Sequence, residues 1–281
     1  MSLIRRSVLQ GVVAGAVLGM VGGVLAPESA KAEGKLGELK EQGFARIAIA
    51  NEPPWTEVKA DGKVTGAAPE VARAVFAKLG IPEIIASISE YGAMIPGIQA
   101  RRFDAVAAGL VIKPERCKAV LFSEPDLCDA EAFAVKKGNP LKFTSYADIA
   151  AHPSAKIGAP GGGTEERLAL EAGVPRDRVI VVPDAQSGVK MLQDGRIDAY
   201  GLPILSISDL LAKANDPNLE MFAPVKDTPV YCAGAAFRKG EESLRDAYDK
   251  EIAEVEGSGE FAKSVGHFGL LGEGPNVTSL E

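Results

Sequence analysis

Two stretches of this sequence, 94 positions apart, read almost alike. Residues 99–105 are Gln-Ala-Arg-Arg-Phe-Asp-Ala, and residues 193–199 are Gln-Asp-Gly-Arg-Ile-Asp-Ala. At this offset Gln99 lies over Gln193, Arg102 over Arg196 and Asp104 over Asp198, while Ile95 falls over Val189 and Ile98 over Leu192. Each copy predicts an amphipathic helix that turns into a strand of small residues. The period is too long for a solenoid, whose repeats run about 20–50 residues. Two copies of one α/β half-structure predict two lobes, and the cleft between two lobes is a natural place to hold a ligand.

The rest of the chain follows the same alternation. Arg46–Ala50 reads as a buried strand that runs into Asn51-Glu52-Pro53-Pro54-Trp55, a loop stiffened by two prolines. Pro69 suits the first turn of a helix with an apolar face of Val71, Val75, Phe76 and Leu79, and Gly80 ends it. Strands near 84–87 and 104–109 follow in the first lobe, and near 156–159, 179–182 and 197–200 in the second. Helices are expected over 146–151, 185–193 and 204–214, with two more over 241–255 and 260–267 before a frayed tail. Alternating strands and helices indicate an α/β fold with parallel sheet. Extended runs near 132–137 and 229–235 predict two parallel crossings between the lobes. This makes a two-stranded hinge, with lobe 1 over 33–133 and 234–281 and lobe 2 over 134–233.

Met1 to Arg6 carries Arg5 and Arg6, an apolar run from Val8 to Ala26 follows, and Ala30-Lys31-Ala32 is a small-x-small cleavage site. Residues 1–32 read as a secretory signal peptide, with Arg5-Arg6 also resembling a twin-arginine signal. The mature chain is expected in the periplasm. The full sequence has a net charge of −7 without basic blocks, which argues against nucleic acid. Of the three cysteines, Cys117, Cys128 and Cys232, an oxidising compartment would pair two and leave one. Cys117 and Cys128 are close enough to clip a loop, yet spacing does not fix the pairing, and three buried thiols remain an alternative.

Enzyme readings find little support. The two histidines, His152 and His267, stand apart from any Cys or carboxylate cluster with metal spacing, and no Gly-x-Ser-x-Gly elbow occurs. Gly158 to Gly163 mimics a phosphate loop, but Thr164-Glu165 stands where Lys and a hydroxyl are needed. No cofactor is expected. What remains suits a small zwitterion. Gly163 and Thr164 open a helix, whose free N–H groups favour an anion, or they are simply a capped glycine turn. Arg116 can fork onto a carboxylate, or form a surface ion pair with Glu115. Glu52 follows the first strand and can face a cation. Trp55 and Tyr91 offer aromatic faces to a delocalised cation, or belong to the core.

The run from Met94-Ile95-Pro96-Gly97-Ile98-Gln99 through Lys113-Pro114-Glu115-Arg116 to Phe122-Ser123-Glu124-Pro125 resembles the polar amino-acid class of bacterial solute-binding proteins. Gly162-Gly163-Thr164 and Gly195-Arg196-Ile197-Asp198-Ala199 fit the same pattern. The resemblance implies a type II periplasmic binding protein, with a ligand cleft between two α/β lobes and an ABC importer's membrane permease as partner. It also implies a monomer. Residues 88–97, 157–166 and 179–184 are most similar to receptors for ectoine and hydroxyectoine. On that likeness Arg116, Gly163 and Thr164 hold the ligand carboxylate, Glu52 takes the protonated ring nitrogens, and Trp55 and Tyr91 pack on the ring.

Two positions depart from the pattern. Tyr200-Gly201-Leu202-Pro203 lacks the acid that grips an α-ammonium group, which favours a dispersed cation. Val111 stands where ectoine receptors have a third aromatic wall, leaving room for proline betaine, proline or another compact cyclic zwitterion. A cyclohexadienyl dehydratase-like enzyme on the same scaffold is the distant alternative.

Overall fold

The computed structural model describes residues 34–257. The expected leader over 1–32, the helix over 260–267 with its His267, and the tail lie outside the described residues. Fourteen short strands are numbered here in chain order: β1 Phe44–Ile49, β2 Glu57–Val58, β3 Val64–Thr65, β4 Glu83–Ile88, β5 Ala105–Val106, β6 Val120–Phe122, β7 Leu127–Asp129, β8 Glu131–Lys136, β9 Ile157–Pro160, β10 Val179–Val182, β11 Ala199–Pro203, β12 Leu219–Phe222, β13 Tyr231–Ala233 and β14 Ala236–Arg238. Two five-stranded sheets result, ordered β4-β1-β5-β14-β6 and β10-β9-β11-β8-β12.

The repeat explains why the two sheets match. In the first copy, helix Met94–Gln99 ends as Arg101 N–H donates to Ile98 and Arg102 N–H to Gly97. In the second, helix Ala185–Gln193 ends as Gly195 N–H donates to Leu192 and Arg196 N–H to Met191. Arg101 and Gly195 both adopt left-handed backbone, at φ 60 and 70°, so the two helices close with one capping motif. The shared aspartates then lock the following strand. Asp104 N–H donates to the Arg46 carbonyl while its carboxylate accepts Arg46 N–H at 2.9 Å. Asp198 makes the same reciprocal pair with Lys156, again at 2.9 Å. An Asp after a left-handed turn thus fixes β5 beside β1 and β11 beside β9.

Each sheet is buried on both faces, as parallel α/β sheets are. Ile47 and Ile49 of β1 join Val71, Val75 and Phe76 of helix Ala67–Lys78 and Tyr248 of helix Glu242–Gly257. Ala48, between them, faces Met94, Ile98 and Phe103 instead. In the second lobe, Val189, Leu192 and Ile207 cover one face, and Phe143, Tyr146 and Ile149 cover the other.

Neither sheet is wholly parallel. β14 runs antiparallel to β5 and β6, and β8 antiparallel to β11 and β12. These two strands carry the chain in from the other lobe, so they enter each sheet from the hinge end. The first crossing also lies upstream of 132–137. Residues 131–136 form β8 in the second sheet, buried from Glu131 through Val135, and the division drawn at 133/134 falls inside it. The apolar run there is sheet interior, whereas the crossing is the mixed segment Leu127–Asp129. It pairs antiparallel with Tyr231–Ala233, one strand leaving and the other returning. Cys128 lies opposite Cys232 in this ladder, and the two form a disulfide that bridges a sequence separation of 104. Cys117 is an exposed free thiol, so it does not clip the loop to Cys128.

Candidate functional site

Strand ends, hinge and helix starts converge on one cleft enclosing about 520 Å3, part of it open to solvent. Glu52 stands on the loop after β1, whose shape is held by Thr56: its hydroxyl accepts Glu52 N–H, and its N–H donates to the Glu52 carbonyl. Trp55, 6 % exposed, packs from the same loop against Gly109, where a Cβ would meet the indole at 3.0 Å. Gly109 also has φ 63°, so both its conformation and its bareness serve the ring. Tyr91 is fixed through its hydroxyl, which donates to the Gly109 carbonyl and accepts Val111 N–H, each at 3.1 Å. Gly163 and Thr164 come from the second lobe, where helix Thr164–Glu171 begins.

Of the seven residues expected from sequence, Glu52, Trp55, Tyr91, Val111, Gly163 and Thr164 border the cavity. Arg116 does not. Its guanidinium lies over the Tyr91 ring, 5.2 Å from the centre. One nitrogen donates to the Val111 carbonyl and another to the Gly162 carbonyl of the other lobe, both at 2.9 Å. Arg116 therefore supports the Tyr91 wall and ties the lobes together. A second bond crosses the cleft, from the buried Ser206 hydroxyl to Glu52 at 2.6 Å. Sequence reasoning missed Asp129, Glu131, Glu165 and Tyr231 in the lining. Asp129 ends one hinge strand, Tyr231 opens the other, Glu131 opens β8 just beyond, and Glu165 follows Thr164 directly.

The site is acidic, and its acids are buried. Burial, and then the charge of Glu165, push the Glu52 carboxyl up to about 7. Burial raises Asp129 to about 6 against hydrogen bonds from Leu205 and Ala130, and raises Glu131 and Glu165 as well. Burial also lowers Lys113 to about 8, helped by the nearby Arg116 and Arg167. Buried carboxylates of this kind call for a cation or a proton. The acids are not grouped as metal ligands: no such cluster occurs among the described residues. Three buried polar atoms of the lining have no hydrogen-bond partner: the indole N–H of Trp55, the hydroxyl of Thr164 and one carboxylate oxygen of Glu131. Unpartnered polar atoms are rare in a protein interior, and three in one cavity wall call for an explanation.

The sequence pattern of bacterial extracellular solute-binding proteins, family 3, matches residues 45–269. The chain belongs to this family. Among family 3 relatives, a probable amino-acid ABC transporter periplasmic-binding protein of Sinorhizobium fredii, y4tE, is 36 % identical over 88 % of this chain and 85 % of its own length. The L-cystine-binding protein TcyJ of Escherichia coli is 31 % identical over 90 % of this chain and 91 % of its own. The crystal structure of EhuB in complex with hydroxyectoine superposes with a TM-score of 0.83 and 72 % identity, covering 85 % of this chain and 93 % of that one. These family 3 relatives are binding proteins of transport systems, and the two-lobed α/β fold is the family's own.

Proposed function

We propose that this chain captures ectoine or hydroxyectoine outside the cytoplasmic membrane and delivers it to the permease of an ABC importer, acting by binding alone and without catalysis. The observation that carries the reading is the polarity of the cleft. Glu52 and the rings of Trp55 and Tyr91 face it from the first lobe, and the unpartnered hydroxyl of Thr164 faces it from the second. A compact ring with a dispersed cation at one end and a carboxylate at the other matches that arrangement. Likeness to the EhuB–hydroxyectoine complex supports it. The lobes that close are taken to divide at the hinge strands β7 and β13, and closure follows from the ligand's preference for the state in which both lobes touch it.

A second reading is favoured by one residue. Val111 gives the cavity an aliphatic wall where a third aromatic face would further stabilise a cationic ring. One such face is worth about 1.4 kcal/mol, or about tenfold in affinity. Another cyclic zwitterion, such as proline betaine, could fit the remaining two rings. Calorimetry decides between them. The chain from residue 33 onward, unfolded and refolded to strip carried-over ligand, is titrated with ectoine, hydroxyectoine, proline betaine and proline. Tight binding of the ectoines alone is the expected result. Tight binding of another member of the set would transfer the reading to that ligand.

A further inference from the structure

One carboxylate in the cavity wall has no part in the ligand contacts described so far. Glu165 is the second residue of helix Thr164–Glu171, a position where an acid ordinarily sits in solvent beside the helix dipole. Here it is 5 % exposed and lines the cleft. Two glycines on different elements clear the space that it fills. A Cβ on Gly163 would come within 2.7 Å of Glu165 Oε2, and also within 2.9 Å of the Pro160 carbonyl. A Cβ on Gly201, in the middle of β11, would meet Glu165 Cβ at 3.3 Å and the Tyr146 hydroxyl at 3.2 Å. Neither glycine has a left-handed backbone, so the requirement is for room. The acid is therefore built into the wall.

Its position across the cleft gives it a function. Glu52 comes from the first lobe and Glu165 from the second, both buried at one cavity, and the charge of Glu165 disfavours ionisation of Glu52. Resting on the ligand reading above, we propose that Glu165 determines specificity by repelling Glu52 across the closing cleft, so that the lobes meet fully only around a ligand that carries positive charge. A cation between the two carboxylates turns the repulsion into two attractions. A neutral-ring acid of the same size leaves it in place and is rejected. Closure and the sign of the ligand's charge are thereby coupled. The charges of Lys113 and Arg116 favour ionisation of Glu165 and keep it available as a charge, yet neither forms a salt bridge with Glu52 or Glu165 among the described residues, so the ligand's cation has no protein substitute between the two carboxylates.

The test uses Glu165→Gln, which keeps the shape and removes the charge. Wild-type and variant are titrated with ectoine and with pyroglutamate, a neutral lactam acid. The variant is expected to lose about tenfold or more for ectoine and to narrow the ratio of the two affinities. An unchanged ratio, or tighter ectoine binding, would overturn the proposal. Gly201→Ala keeps the acid but crowds it, and should also weaken ectoine binding. A second readout needs no ligand. Small-angle scattering at pH 8 should show ligand-free Glu165→Gln more compact than wild-type, because a repulsion across the cleft has gone, and equal radii would overturn the proposal. Failure of wild-type to bind ectoine would instead strike the ligand reading, leaving the scattering comparison to judge Glu165.

Discussion

Glu52 is the residue where binding and stability pull in opposite directions. Its carboxyl is pushed up to about 7 by burial, by Glu165 and by Asp129, against the hydrogen bond from Ser206. An ordinary glutamate titrates near 4.3, so between these values the folded protein holds a proton that the unfolded chain releases. Stability contributed by this group therefore rises as pH falls from about 7 towards 4.5, and above 7 the buried charge costs roughly 3 kcal/mol. Ligand binding has the reverse sign. A cation needs Glu52 ionised, so affinity should be flat above pH 7 and fall by up to about tenfold per unit below it. Glu52→Gln should raise the ligand-free Tm at pH 8 by several degrees, weaken ectoine binding and flatten its pH profile. Differential scanning calorimetry and titrations from pH 5.5 to 8 measure all three, and an unchanged pH slope in the variant would assign the proton elsewhere in the acid cluster.

At the scale of elements, the hinge is a short antiparallel pair joined by a disulfide. β7 and β13 are only three residues each, too short to hold two lobes in register by backbone hydrogen bonds alone. The Cys128–Cys232 bond joins them at their central pair, Cys128 opposite Cys232. It closes a loop that contains the whole second lobe, so its loss returns a large entropy to the unfolded chain. Replacing both cysteines with serine should lower stability by roughly 2–5 kcal/mol in urea unfolding under non-reducing conditions. A change below about 1 kcal/mol would show that the ladder and the two cores already fix the crossing. Cys117 is exposed and on the short helix Pro114–Cys117, and its replacement should leave the same measurement unmoved.

The whole molecule closes through small residues. Gly92 of the first lobe meets Gly161 and Gly162 of the second, and a Cβ on Gly92 would stand 3.0 Å from the Gly161 carbonyl. Bare backbone here allows Arg116 to reach the Gly162 carbonyl and Ser206 to reach Glu52. Neither lobe contains this contact by itself, so a larger side chain should act on closure and leave the cores alone. Gly92→Val is predicted to keep the ligand-free Tm within about 2 °C of wild-type. It should weaken ligand binding about tenfold or more and abolish ligand-induced compaction in small-angle scattering. A fall in Tm without loss of compaction would place the contact in the folding of one lobe.

Local order was legible where it is periodic. The apolar spacing of 185–193 and 204–214 and the β-branched run 179–182 are written residue by residue, and the structure has those elements at those bounds. The duplicated Gln-x-x-Arg-x-Asp-Ala carries its own capping turn and strand lock, which is why two similar lobes could be read from it. Glu52, Trp55, Gly163 and Thr164 could be singled out because they follow a strand or open a helix, where α/β sheets tend to bind ligands, and Tyr91 for its aromatic face. Other features depend on contacts between residues far apart in the chain. Which cysteines pair, that Ala132–Val135 is sheet interior and Leu127–Asp129 the crossing, and that Arg116 donates to the Val111 and Gly162 carbonyls are all set by neighbours chosen in three dimensions. The acidity of the cleft belongs with them. Asp129, Glu131 and Glu165 look like ordinary solvated acids in sequence, and only the approach of two lobes removes the water that would have made them so.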